Sequence, residues 1–409
     1  MATSAAGALQ GIKEMEAVGQ TVSDTMDGWE LMWTEFQKIS GNVEDDLDPR
    51  NQYFPAKFTS LVFINGSYAW SGGGYTGYNG GDTPKRDSGF FKQIVKPLAL
   101  GNDWGYYHEW GHNINNSRME HVEVTNNLYA VIMRKKISNS NDDRADWNLL
   151  FKRFQGEEVN HGYFTYLGVL LQLQYYYGED SYGKASSVAR TNPDGIMDGL
   201  DNNMQRLVIG LSVATETDLT AFFEDWGYVQ ATEKMKEKVA HLPKPEVKLE
   251  YMHSLGRDYK GAGFSKDAKL TVHAVKTDTE NKQITITYGV DKANRDAAMG
   301  YEIIRDGEVI GYTTNTSFVD KNVDLDKVYH YEVVAYDKKL SSLKPEKANS
   351  KKPILSVEDY VTLKLRQAYD PMDYVKAASY LGNDITKDVK IKSNNIDITK
   401  RETIKLFTK

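Results

Sequence analysis

From the start of the chain to about residue 245, apolar side chains recur mainly at helical intervals. Ile12, Met15, Val18 and Val22 form one series, and Leu31, Trp33 and Phe36 form another. The runs "NNLYAVIMRKK", "YFTYLGVLLQLQYYYG" and "LTAFFEDWGYVQATEKMKEKV" predict helices in the same region. Pro49 and Pro55 interrupt the first pattern. After them "FTSLVFINGSYAW" predicts one extended strand that runs into a glycine-rich loop, "SGGGYTGYNGGD". Pro243 and Pro245 close the helical region. From about residue 265 the period changes to two: "KQITITYGV", "GYEIIRDGEVIGYTT" and "VYHYEVVAYD" alternate polar and apolar positions, and Asp306-Gly307 between two such runs signals a type I′ hairpin. Such a rhythm predicts a small antiparallel sandwich. From Ile354 onward "VEDYVTLKL", "DVKIKS" and "IDITK" again read as strands, in a stretch short for a complete sandwich. The expected architecture is therefore multidomain: a mainly helical α+β domain over residues 1–250, then all-β sandwich modules at 265–350 and, incomplete, at 354–409.

Composition narrows the possibilities. The chain has 409 residues, 40% hydrophobic and 26% charged, the mix of a soluble globular protein with ample material for a core. A net charge of -7 argues against a nucleic-acid partner, which calls for a basic surface. The absence of cysteine excludes disulfides and thiolate ligands, so any zinc must be held by nitrogen and oxygen. No apolar run approaches the roughly 20 residues that span a bilayer. The opening "MATSAAGALQGIKEM" lacks a charged region followed by a long apolar core, so either the protein is cytosolic or a signal has been lost, and the abrupt start in a helical pattern favours a cut fragment. The 26 tyrosines read mainly as packing residues.

The chemistry concentrates in "YYHEWGHNINNSRMEHVEVTNN", residues 106–127. His108 and His112 are four apart, so on a helix both imidazoles share a face and can grip one metal ion. Glu109, one position along, can reach a metal-activated water without being a ligand, which is the zincin arrangement of two ligands and a general base. A catalytic zinc needs a third protein ligand and an open position. The option that places glycine three residues and histidine six residues after the second histidine fails, because Asn115 and Arg118 stand there. A glutamate beyond a turn is the other option. Glu123 lies 11 residues past His112, with "NINNS" able to turn the chain; Glu120 and His121 are rival ligands nearer the turn. His161, Tyr163 and Tyr166, in "NHGYFTY", are candidate donors to an oxyanion; ordinary packing accounts for each of them as well.

"HEWGHN" followed by "EVTNNLY" resembles the enhancin-like zinc metallopeptidases, which include viral enhancins and bacterial mucin-degrading proteases. "SYAWSGGGYTGY" is similar to that family's glycine-rich strand and loop upstream of the zinc helix, and "GYFTYLGVLLQLQYYYGEDSY" and "LSVATETDLTAFFEDWGY" to its later helices. The resemblance covers roughly residues 1–250 and implies a gluzincin-like catalytic domain. It implies His108, His112 and Glu123 as Zn2+ ligands and Glu109 as general base. It implies substrates that are O-glycosylated mucin-type proteins, cut next to glycosylated Ser or Thr. Tyr68, Trp70, Gly73, Gly74 and Tyr75 would then form one wall of the cleft, where an edge strand can pair with an extended substrate backbone. Asn127, four residues after Glu123, is placed to orient that carboxylate from behind. Residues 265–350 resemble a fibronectin type III module. The tail resembles a bacterial surface immunoglobulin-like repeat, with two departures: "RETIKLFTK" replaces the usual closing strand, and Arg366 stands where a turn glycine is usual.

These implications describe a secreted or cell-surface hydrolase with no nucleic-acid partner and no membrane span. Two other readings compete with it: a zinc protease indifferent to glycans, and a non-catalytic adhesin that only binds mucin glycans. The second has no use for a general base at Glu109.

Overall fold

The computed structural model describes residues 13, 16–17, 19–53, 59–63, 69–72, 75–78, 104–159, 161–255, 263–321, 323–325, 327–350, 354–357, 363–364, 366–379, 383–390 and 399. The chain forms two compact units, Met1–Leu150 with Asn160–Tyr259, and Phe151–Val159 with Lys260–Lys409.

The first unit opens with α1 (Val22–Ile39), started by a capping box in which the Thr21 and Asp24 side chains each accept from the other's backbone N–H. Its buried positions are Gly28, Met32, Glu35, Phe36, Gln37 and Ile39. Of the expected apolar series Phe36 is buried, whereas Val22 is 67% exposed and Leu31 39%. Ile12, Met15 and Val18 lie outside the described residues. The phase is set by what the helix packs on, since the Phe36 ring meets Tyr107 and Tyr129 edge to face.

A three-stranded sheet follows, β1 (Thr59–Phe63), β2 (Ala69–Gly72) and β3 (Tyr75–Tyr78), in the order β1-β3-β2. The single strand expected over "FTSLVFINGSYAW" is thus two strands. Part of the expected glycine-rich loop is β3, the central strand, antiparallel to β2 and parallel to β1. Period-two apolar patterning hides this, because "YTGY" is too short and too glycine-rich to register as a strand.

Next come α2 (Trp104–Ile114) and α3 (Asn126–Ser138), which pack against each other, with β2 and β3 against α2. The remaining helices of the unit are α4 (Trp147–Lys152), shared with the second unit, α5 (Tyr163–Tyr177), α6 (Ser181–Thr191), α7 (Asn203–Ala214), α8 (Thr220–Asp225) and α9 (Glu233–Val239). The run "LTAFFEDWGYVQATEKMKEKV" is two helices rather than one. Gly227 breaks it with φ +64°, a conformation open to glycine and costly to most other residues. The buried Asp143 ties the end of the unit to α5, accepting from Tyr175 Oη at 2.6 Å and from the Ser254 hydroxyl.

The second unit holds two sheets, β4 (Leu270–Asp278), β5 (Gln283–Val290) and β8 (Ser317–Lys321) in one, and β6 (Ala298–Arg305), β7 (Glu308–Thr313), β9 (His330–Asp337) and β10 (Glu346–Asn349) in the other. Their inward side chains form one core: Val275, Ile284 and Ile286 from the first sheet meet Ile303, Val333 and Ala335 from the second. Asp306 and Gly307 both have positive φ, as the hairpin signal between β6 and β7 requires. Segment 151–159 joins this unit through Phe151 and Phe154, whose rings contact Tyr312 of β7. The tail holds one described strand pair, β11 (Ile354–Val357) with β12 (Val375–Ala378). β12, in "YVKAAS", escaped the pattern. No strand is present at 388–390 of the expected "DVKIKS" run, and "IDITK" falls mostly outside the described residues. Arg366 has φ +62°, the left-handed conformation of a turn glycine.

Candidate metal centre

The "HEWGH" run lies on α2, and its spacing turns His108 and His112 to the same side, rings 4.9 Å apart. The chain then makes an eleven-residue return, and Glu123 arrives opposite both imidazoles. Its carboxylate oxygens are 3.0 Å from His108 Nε2 and 3.4 Å from His112 Nε2. Among the described residues, these three form the only group of metal-ligating side chains whose donor atoms converge, all within 4.8 Å. Of the rival ligands, His121 is turned to Tyr228, whose hydroxyl is 2.8 Å from its Nδ1. Glu120 is half-buried and takes no part in the group.

Two features bring Glu123 there. First, Gly111 lets α3 approach α2: a β-carbon at 111 would lie 2.7 Å from the Asn126 carbonyl oxygen. Second, the return loop is locked. Thr125 Oγ1 accepts from His121 N (3.1 Å) and from Asn115 Nδ2 (2.7 Å), and donates back to His121 O. Tyr182 holds Asn115 in turn through its hydroxyl. This frame keeps Glu123 at φ +65°, which a non-glycine residue adopts at a cost that its surroundings must offset.

Asn127 fixes the protonation of the site. Trp104 Nε1, which can only donate, lies 2.9 Å from Asn127 Oδ1, so that atom is the amide oxygen. His108 Nδ1, at 2.5 Å from the same oxygen, must then donate to it, which turns Nε2 toward Glu123. Asn127 Nδ2 donates to the Glu123 backbone carbonyl at 2.7 Å. Asn127 therefore orients the His108 ring and the Glu123 backbone, not the Glu123 carboxylate as expected. Burial, then the neighbouring charge of His108, holds the His112 imidazole below its usual pKa and so favours the neutral ring. Two imidazole nitrogens and a carboxylate thus face one point. The residues present fit a divalent metal of the zinc kind, with one carboxylate and two imidazoles and room for a further ligand.

Glu109 is 9% exposed and, among the described residues, has no ion-pair partner of opposite charge. Burial, then the like charge of Glu123, pushes its carboxyl up to about 7. A carboxyl poised near neutrality is suited to take and return a proton, and a cation in the cluster would draw its pKa back down.

Asn126 was missed by sequence reasoning. It is fully buried, with its amide nitrogen 3.0 Å from both His108 Nδ1 and His112 Nε2. The doubled asparagine after Glu123 was its signal. Of the candidate oxyanion donors, Tyr163 is 59% exposed at the head of α5. Tyr166 stacks on His161 and also contacts His121 and Tyr228. Phe164 touches Trp104. The first turn of α5 thus touches Trp104, at the start of α2, and His121, in the return loop. Of the expected cleft wall, Trp70 lies in β2, an edge strand of its sheet, and Tyr75 opens β3. Tyr68, Gly73 and Gly74 lie outside the described residues. Thr76 of β3 joins the sheet to α2, its hydroxyl accepting from Asn113 Nδ2 at 2.8 Å.

The family model for peptidase M60, enhancin and enhancin-like, matches residues 5–227. The M60 catalytic domain with the CBM51-1 and CBM51-2 domains of ZmpB from Clostridium perfringens has a TM-score of 0.71 at 27% identity, covering 94% of this chain and 39% of that one. The catalytic module of the metalloprotease ZmpA from the same organism has a TM-score of 0.66 at 26% identity, covering 82% and 64%. The M60 catalytic domain of C. perfringens ZmpC, in complex with the sialyl T antigen, has a TM-score of 0.65 at 24% identity, covering 82% and 65%, a likeness of fold alone. The chain thus spans less than two thirds of each of these solved chains. A comparison with curated protein sequences found no significant match. With a family match over more than half of its length, and a fold shared with solved M60 metallopeptidases, this chain belongs to the peptidase M60 family of enhancin and enhancin-like proteins.

Proposed function

We propose that the protein is a secreted zinc metalloendopeptidase that cuts O-glycosylated, mucin-type proteins next to glycosylated Ser or Thr. The observation that carries the peptidase reading is the convergence of His108, His112 and Glu123 beside the buried Glu109. A Zn2+ held by those three side chains would act as a Lewis acid toward the scissile carbonyl and make a water acidic enough to deprotonate near neutral pH. Glu109 takes the proton as water attacks the carbonyl carbon, then returns it to the leaving amine. Asn127 keeps His108 in the tautomer that offers Nε2. The edge strand β2, packed on α2, offers an extended substrate a backbone to pair with. Tyr68, Trp70, Gly73, Gly74 and Tyr75 are assigned to that wall of the cleft.

Glycan specificity has thinner support. It rests on family membership and on the M60 domain of ZmpC having been solved with the sialyl T antigen. The second unit, with strand orders β4-β5-β8 and β10-β9-β6-β7, supports the fibronectin type III reading and a spacer or binding role.

The test is a digest of one mucin-type glycoprotein, before and after removal of its O-glycans, with zinc and with a chelator. Chelator-sensitive cutting of the glycosylated form alone is expected. Equal cutting of both forms would leave the metal chemistry standing and remove the glycan requirement. No cutting with zinc present, together with retained mucin binding, would favour the adhesin.

A further inference from the structure

The return loop that carries Glu123 has a second side. There Ser117 and Arg118 meet the segment 192–200 and the start of α7 around an open cavity of about 510 Å³. Its lining is chiefly polar. Arg118 and Arg206 are both held by backbone carbonyls: Arg118 Nη1 donates to Arg190 O at 3.2 Å, and Arg206 Nη2 to Leu200 O at 2.9 Å. Arg206 Nη1 also donates to Asn203 Oδ1 at 3.2 Å, and these bonds hold both guanidinium groups in the pocket lining while using only part of the five N–H donors each carries. Asn203, the first residue of α7, joins the two walls by donating to Ser117 O at 2.9 Å, and the positive end of the helix dipole opens beside it. The Lys234 ammonium crowds Gly199 on the rim. One carboxylate, Asp198, lines the pocket, steadied by Asn192 Nδ2 at 2.8 Å.

Two fixed guanidinium forks and a helix N-terminus in one concavity select an anion that can accept several hydrogen bonds at once. Asp198 disfavours a bare inorganic anion filling the whole space, but its carboxylate accepts hydroxyl donors; the Asn192 and Asn203 oxygens already accept from Met197 N and Arg206 Nη1. A ligand with an anionic group at one end and hydroxyls at the other satisfies both halves. We infer that this pocket binds an anionic sugar, with Arg118 and Arg206 gripping its carboxylate or sulfate and Asp198 its hydroxyls. The proposed O-glycoprotein substrate supplies the source of that sugar, and to that extent the inference rests on the proposed function.

The experiment is calorimetric titration of the full chain with N-acetylneuraminic acid, with galactose 6-sulfate and with neutral N-acetylgalactosamine. It is repeated on Arg118→Ala, at an exposed position, and on Arg206→Gln. Binding of one or both anionic sugars is expected, weakened about tenfold or more in each variant, the loss of a charge-assisted hydrogen bond. Which of the two binds distinguishes a sialylated from a sulfated source. Equal binding of the neutral sugar, anionic binding unchanged in both variants, or no anionic binding would overturn the inference. Because no cleavage is read, failure here with glycosylation-dependent cutting intact would remove the pocket and leave the proposed function. Arginine-dependent binding without any cutting would do the reverse.

Discussion

Gly111 on α2 and Asn126 on α3 are so close that a β-carbon at 111 would stand 2.7 Å from the Asn126 carbonyl oxygen and 3.2 Å from its Cβ. The residue immediately before the last histidine of "HEWGH" is thus where the two helices touch, and the touch sets how near Glu123 comes to the imidazoles. Gly111→Ala forces the helices apart or strains them. We expect a loss of about 1–3 kcal/mol of stability, as for other overpacked sites, together with weaker metal binding. Denaturant unfolding and a competitive chelator titration measure the two. An alanine variant with unchanged stability and metal affinity would contradict the packing argument.

Asn127 carries no charge and touches no substrate, yet it holds the His108 tautomer and the Glu123 backbone together. Asn127→Ala should lower metal affinity by about 10–100-fold, the usual effect of losing a partner behind a ligand. Asn127→Asp, which can still accept from Trp104 and His108, should recover most of it. Equal affinity in all three proteins would show that the ring is oriented by something else.

Glu109 faces the cluster without converging on it. Glu109→Gln should lower hydrolysis by on the order of 10²–10⁴-fold, the contribution of a positioned proton carrier, while metal content stays at the level of the unmodified chain. Glu123→Gln, in contrast, should lose metal as well. Elemental analysis beside peptide-bond cleavage separates the two, and metal loss in both would move Glu109 from base to ligand.

Away from the site, Glu35 on α1 receives Lys38 and Lys136. Burial opposes its charge, but the two ammonium groups outweigh burial and hold its pKa below the ordinary carboxylate value. A carboxyl with a depressed folded-state pKa stabilises the fold above its unfolded value, roughly 4.3, and that contribution disappears as pH falls through the depressed one. Glu35→Gln should therefore be less stable than the unmodified chain at neutral pH, with the gap closing below about pH 4. Urea unfolding across that range reads it directly. A gap independent of pH would mean the pairs contribute little.

The sequence by itself determined whatever depends on local spacing. Residues four apart on a helix share a face whatever surrounds them, so His108 and His112 were legible as a pair and Glu109 as their neighbour. The Asp306-Gly307 turn was legible for the same reason, since its backbone angles belong to the two residues themselves. Tertiary structure alone decided what depends on distant partners. Spacing favours Glu123 over Glu120 and His121, which lie nearer the turn, but it cannot bring any of them to the imidazoles. Glu123 faces the imidazoles because Thr125, Asn115 and Tyr182 lock the return loop and turn His121 toward Tyr228. On α1 the Tyr107 and Tyr129 rings select Phe36 from its apolar series and leave Val22 and Leu31 outside, a choice made by residues far apart in the chain. The split at Gly227 is local, a left-handed glycine inside a run that reads as one helix.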